Sequence, residues 1–201
     1  MIIRKLLSGA VIACVMLAFA MPIVAQEGEG GADMESMMAE WAKYMTPGEH
    51  HKHMAKMVGE WDVASKMWMG PGEPMETKGT ATFTSEFGGL YIRHHYKSEF
   101  MGQSFEGQGL MGYDIYAGEH VSTWHDNMSS GIYMSRGTCN AEDKTMTSMG
   151  TMDDPMTGRK DVHFKEVIKT IDDDHFVFSM YELGDDGSET KTMEMTYTRK
   201  K

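Results

Sequence analysis

From Gly59 to the end of the chain, apolar and polar residues alternate with a period of two, and clusters of Gly, Pro, Asn and Asp interrupt that alternation every roughly 8 to 12 residues. The alternation predicts ten strands, over about 60–69, 76–86, 89–99, 104–116, 119–127, 131–139, 144–152, 159–171, 175–183 and 190–199. The separators are short and turn-forming: Gly70-Pro71-Gly72, Gly88-Gly89, Ala117-Gly118, Ala141-Glu142-Asp143, Asp153-Asp154-Pro155, Asp172-Asp173-Asp174 and Asp185-Asp186-Gly187. Consecutive hairpins without a helical crossover make an up-and-down meander. So many short strands must dispose of their open edges, and closure removes them. The expected fold is all-β, an antiparallel barrel of about ten strands. Parity names its inner face: Trp61, Val63, Met67 and Met69 on the first strand, Val162, Phe164 and Ile168 on the eighth, Phe176, Phe178 and Met180 on the ninth, Met193, Met195 and Tyr197 on the last.

Before Gly59 the period changes. Asp33 is placed to cap a turn carrying Met34, Met37, Met38, Trp41 and Met45 at helical spacing. A second helix is expected from Thr46 as N-cap, with Pro47 at the first helical position and Glu49 as capping-box partner, running to about Met57 and ending near Gly59. One or two short helices over 33–58 therefore precede a barrel over 59–201. Residues 26–32, rich in Gly and Glu, read as a disordered leader.

The first 25 residues have a different logic. Arg4 and Lys5 precede an apolar run from Leu6 to Ala20, followed by Pro22 and Ala25, which is the order of a secretory signal peptide. Cleavage is expected after Ala25, with Ala20 as the alternative. Val11-Ile12-Ala13-Cys14 also resembles a lipoprotein acylation box, although the residues after Cys14 stay apolar. The run is short of the about 20 residues that a membrane span needs. An exported, periplasmic or secreted protein is expected. Losing Arg4 and Lys5 makes the formal charge of −11 two units more negative, and such an acidic chain argues against nucleic acid as a partner. With Cys14 gone, Cys139 stands alone and no internal disulfide can form.

The segment Gly59-Glu60-Trp61 resembles the Gly-x-Trp opening of lipocalins and other calycin barrels. That resemblance implies a tryptophan closing the barrel floor beneath a cation from late in the chain, and Arg199 is the candidate. A wider resemblance, from about Met57 to Lys200, is to the bacterial DUF1579 family. It is carried by Gly59-Glu60-Trp61-Asp62, Phe87-Gly88-Gly89-Leu90-Tyr91, the run Gly102 to Gly109, Gly112-Tyr113-Asp114, Val121-Ser122-Thr123-Trp124, Asp153 to Lys160 and the closing Met193 to Lys200. The family's activity is not established, so the resemblance implies the barrel and no catalytic residue. The stretch from His50 to His53 lies outside it.

Three constellations carry candidate chemistry. Met67, Tyr91, His94, His95, Trp124, His125 and Met195 are the candidate ligand-binding set within the barrel. Consecutive strand residues face opposite ways, so only one of His94 and His95 can point inward, where a satisfied core histidine is the plainer reading. An inward histidine could instead polarise a bound carbonyl or ligate haem, by analogy with nitrobindin-related barrels that bind haem through one histidine. The second constellation is methionine, 23 in the whole chain. Thioethers and imidazoles suit copper, and His50, His51, His53, Met54 and Met57 form a candidate metal set, with core filling as the competing reading. Asp172 to Asp174 and Asp185-Asp186-Gly187 lack the spacing of a calcium loop and read as turns. No nucleophile stands in an activating context. A non-enzymatic barrel binding a small apolar or amphipathic ligand under a lid formed by 33–57 is the leading expectation. A copper-binding protein is the alternative, and an enzyme acting on a lipophilic substrate through His94, His95 or His125 the weaker one.

Overall fold

A computed structural model describes residues 30–155 and 157–201, with side chains from Asp33 onward. The signal peptide over 1–25, acylation of Cys14 and the first part of the leader concern residues outside those described. Two helices, α1 (Gly30–Met45) and α2 (Glu49–Ala55), precede ten strands: β1 (Gly59–Met67), β2 (Met75–Glu86), β3 (Tyr91–Phe100), β4 (Gln103–Asp114), β5 (Glu119–Asp126), β6 (Tyr133–Asn140), β7 (Thr145–Asp154), β8 (Arg159–Thr170), β9 (His175–Leu183) and β10 (Glu189–Arg199). The chain divides into two compact units between Ala39 and Glu40, inside α1, and the barrel lies wholly in the second.

Every strand pairs antiparallel with its sequence neighbours, and β1 also pairs with β10, so the sheet closes with no free edge. The closing register sets Trp61 opposite Arg199 and Met67 opposite Met193. On its other side β1 sets Trp61 opposite Ala81 and Val63 opposite Gly79. This is the up-and-down antiparallel barrel expected from the alternation.

The inner face is uneven in chemistry. Where β1, β2, β3, β9 and β10 meet, it is packed aromatic: Phe176 stacks on Tyr197 with centroids 4.2 Å apart, and Trp61 meets Phe176 edge-on at 4.8 Å. Across β5 to β8 the inward positions include Ser122, Ser135, Ser148 and Glu166, and Ser135 and Ser148 are fully buried.

The elements differ from the expectations in ways that have local causes. β3 begins at Tyr91 because Phe87–Gly89 forms a single 3-10 turn, with Gly88 at φ 68° and Phe87 itself left-handed. Met69 falls beyond the end of β1 and is exposed. α1 starts at Gly30 rather than Asp33. Thr46 does not cap α2: its hydroxyl donates to the Ala42 carbonyl at 2.7 Å and so closes α1. Gly48 is the N-cap instead, and its N–H donates to Nδ1 of His51 at 3.1 Å. An imidazole three residues into the helix thus does what a Glu or Gln does in a capping box.

Candidate ligand site at the α2 end of the barrel

α2 lies across the end of the barrel where β1 begins and β10 ends. Its sequence, Glu49-His50-His51-Lys52-His53-Met54-Ala55, turns His51 and Met54 inward, and both are buried, at 2% and 3% exposure. Residues three apart share a helix face, which is why that pair points together. Both nitrogens of His51 are used: Nδ1 holds the Gly48 N–H, and the ring has a further hydrogen bond to the backbone of Tyr113. Burial holds its pKa below the ordinary value.

His50 lies flat on Tyr113 of β4, with ring centroids 3.9 Å apart. Its Nδ1 is 3.3 Å from Nε2 of His120, which β5 places directly opposite Tyr113. His120 is 3% exposed, and its Nδ1 has no hydrogen-bond partner. Burial first, then the neighbouring His50, His53 and His51, push its pKa down to about 4, so the ring is neutral at physiological pH.

Between α2 and the turns β6–β7 and β8–β9 lies a cavity of about 530 Å³. Its apolar wall is Met54, Met57, Trp61, Met111, Met146, Ile168 and Phe176, Cys139 reaches it from β6, and its polar lining is His50, His53 and His120 together with charged side chains of α2 and of the two turns, among them Lys52, Lys144, Asp172 and Asp173. A narrow crevice, bordered by Met54, Met111, His120 and Met146, continues to Ser122 and Ser148. Ser122 and Ser135 are hydrogen-bonded at 2.7 Å. Ser135 donates to Oε2 of Glu166 at 2.6 Å. That commits the one proton of Ser135, so Ser122 is the donor between the two hydroxyls. Burial raises the Glu166 carboxyl above the usual carboxylate range, and the Ser135 bond offsets this only in part.

The floor is held by Arg199 and Trp61. The Trp61 indole N–H donates to the Met57 carbonyl at 2.8 Å. The guanidinium of Arg199 lies over the indole, 4.1 Å from its centroid. It also donates to the Val58 carbonyl at 2.8 Å and the Lys56 carbonyl at 2.6 Å, carbonyls that the end of α2 leaves without helical partners.

The residues singled out from sequence separate into groups. Met67, His94, Trp124 and Met195 share the inward parity, but none lines the cavity. Trp124 lies over Gly107, where a Cβ would come within 2.2 Å of its ring. Tyr91, half-exposed, packs against Gly112. His95 pairs with Glu106 at 2.6 Å, and His125 is exposed. His50, His53, Met54 and Met57 do line the cavity. Among the described residues no three of His, Cys, Asp or Glu converge as a metal-ligand set. The acidic turns act as turns, Asp172 accepting from the Asp174 N–H and Asp186 from the Ser188 N–H.

Haem does not suit His94. Its ring lies flat on Phe83 at 4.4 Å, with Trp124 at 5.3 Å and Tyr197 at 6.0 Å. Burial drives its pKa down to about 3 and leaves Nε2 unpaired, yet the cavity wall does not include it. Those rings fill the space a macrocycle would take.

The sequence reading missed His120, Met111, Met146 and the Ser122–Ser135–Glu166 chain. Parity carried the signal for the first: His120, Ser122 and Trp124 alternate along β5, so an inward Trp124 makes His120 inward too.

The family model described as Protein of unknown function (DUF1579) matches residues 46–199. No curated protein matches the chain. Among solved structures, Rv2717c from M. tuberculosis is similar at a TM-score of 0.58 and 12% identity, over 78% of this chain and 100% of its own. The S-type phycobiliprotein lyase CPES from Guillardia theta is similar at a TM-score of 0.51 and 12% identity, over 80% of this chain and 97% of its own. At these identities the likeness is one of fold alone.

Proposed function

The chain belongs to the DUF1579 family of proteins of unknown function, and from the geometry of its own residues we propose that it is an exported, non-enzymatic barrel that binds one small, largely apolar molecule beneath α2. The observation that carries this reading is the cavity of about 530 Å³, one wall of which is methionine, isoleucine and aromatic side chains, with histidines and the charged side chains of α2 and the adjoining turns completing the lining. That size and that wall match the usual small-molecule pocket, apolar with a few placed hydrogen-bonding groups. On that wall His120 is a neutral imidazole whose buried Nδ1 has no partner among the described residues. A buried polar atom left unpaired costs about 1 to 3 kcal/mol, and a ligand reaching it recovers part of that cost.

Export is supported by Arg4, Lys5 and the apolar run that follows them. Among the described residues no helix is long and apolar enough to cross a membrane. The non-enzymatic reading is supported by the histidines themselves: His51 is consumed by backbone contacts, and neither His50 nor His120 has a carboxylate partner to raise its basicity.

Native mass spectrometry of the protein purified from an exporting host, without added metal, tests the reading. The expected result is an added organic mass that mild denaturation releases. A second sample carries Met146→Trp and Ile168→Trp, which fill the cavity, and should lose that mass while keeping its circular dichroism. A bare wild-type protein that also fails to take up 1-anilinonaphthalene-8-sulfonate would overturn it.

A further inference from the structure

We propose that the deep end of the cavity is a four-coordinate Cu(I) site, built from Nδ1 of His50, Nε2 of His120 and two thioethers from among Met54, Met111 and Met146. The two nitrogens are 3.3 Å apart. Metal–nitrogen bonds of about 2.0 to 2.1 Å at a tetrahedral angle set two imidazole nitrogens roughly 3.3 to 3.4 Å apart. The observed separation is therefore the bite of a two-histidine chelate, and it is long for a hydrogen bond, whose N–H donors favour about 2.9 to 3.0 Å. The ring planes cross at 72° with centroids 5.2 Å apart, so the two histidines meet edge-on and do not stack.

The candidate sulfurs come from three separate elements. Met54 stands four residues after His50 on α2, on the same helix face. Met111 of β4 and Met146 of β7 border the same crevice as Met54 and His120. Soft thioethers with imidazoles select Cu(I) over harder ions. This donor set also explains why no group of three His, Cys, Asp or Glu forms among the described residues: the remaining ligands are sulfur ethers, which carry no charge and can be buried without a partner. Thioether and imidazole donors do not suit Mg²⁺ or Ca²⁺, which take oxygen ligands.

The set differs from the one that the helical spacing alone suggests. His51 is excluded because both of its nitrogens bind backbone, and His120 takes its place. Met34, Met37 and Met38 are exposed on α1 and have no part in it. All of its donors line the cavity of the apolar-ligand reading, but Cu(I) binding and uptake of an apolar probe are read by separate measurements, so one can fail without the other.

Competition of the reduced protein with bicinchoninate under anaerobic conditions tests the site. One Cu(I) per chain is expected. His50→Ala and His120→Ala should each weaken it by about tenfold or more, since even outer-shell changes at metal sites cost that much. Because His120 is buried, Met111→Leu and Met146→Leu, which keep volume and fold, serve as the second set. They should weaken Cu(I) binding and lower the sulfur contribution to the copper X-ray absorption fine structure, while the circular dichroism of the copper-free protein stays that of the wild type. His53→Ala and Cys139→Ser should leave the affinity as it is. Undiminished affinity in the His120 and both methionine variants, or loss on Cys139→Ser or on replacing Met34, Met37 and Met38, would overturn the assignment.

Discussion

The guanidinium of Arg199 lies 4.1 Å from the centre of the Trp61 ring while donating to the carbonyls of Lys56 and Val58. One side chain thus ties the last strand to the first strand and to the end of the helix that covers the cavity. A cation over an indole is worth about 0.5 to 2 kcal/mol, and a hydrogen bond to a charged group about 1.5 to 3 kcal/mol. Arg199→Ala is expected to destabilise the protein by about 2 to 4 kcal/mol in urea denaturation. Arg199→Lys should recover only part of this, because an ammonium cannot hold two carbonyls and an indole face at once. In a double-mutant cycle with Trp61→Phe the two losses should fail to add.

Gly59 makes room for that arrangement. Its φ is +134°, and a Cβ placed there would come within 2.7 Å of Nη1 of Arg199. Gly59→Ala combines backbone strain with a clash, and a cost of about 1 to 3 kcal/mol is expected from the strain alone. Replacing Arg199 as well removes the clash and leaves the strain. The Gly59→Ala penalty should therefore be smaller in an Arg199→Ala background, as read from denaturation midpoints at unchanged m-value.

Sequence was most informative where a single strand reports on itself. Period-two alternation and hairpin-grade turns placed all ten strands to within a few residues of their observed bounds, because a side chain's face depends only on its parity. The errors fall where a competing partner lies elsewhere. Thr46 looks like an N-cap until the Ala42 carbonyl claims its hydroxyl, and no pattern says that His51 will reach back to Gly48. The candidate site was less legible still. Trp124, His125 and Asp126 are dense in sequence, but His125 points to solvent. His120 and His50 are 70 residues apart and meet only because α2 folds over β5. Glu166 shares the parity of Val162, Phe164 and Ile168, so the alternation already carries it inward, and what no pattern gives is the Ser135 hydroxyl that meets it there.

His94 makes the fold acid-sensitive. Its pKa falls from 6.5 to about 3, through burial and then the neighbouring His95. The unfolded chain therefore takes up a proton at a higher pH than the folded one. The stability this represents is complete above about pH 6.5 and is lost as the pH falls toward 3, at about 1.4 kcal/mol per pH unit. His94→Phe preserves the stack on Phe83 and removes the titration. Its unfolding free energy should fall less steeply than the wild type's between pH 6.5 and 3, and parallel curves would show that His94 is not the group responsible.

Glu166 acts in the opposite direction. Burial raises its folded-state pKa above the unfolded value, and the hydrogen bond from Ser135 offsets this in part. Folding thus favours the protonated carboxyl. This contribution is present below the unfolded pKa and is lost as the pH rises through the folded one. Glu166→Gln keeps an oxygen to accept from Ser135 but cannot ionise. The variant should match the wild type near pH 4 and exceed it in melting temperature at pH 8. A wild type that loses no more stability than Glu166→Gln over that interval would mean that the carboxylate is solvated or neutralised in the folded barrel. Ser135→Ala removes the hydroxyl that stabilises the ionised form, so it should steepen the alkaline loss in the wild type and leave the Glu166→Gln profile nearly flat.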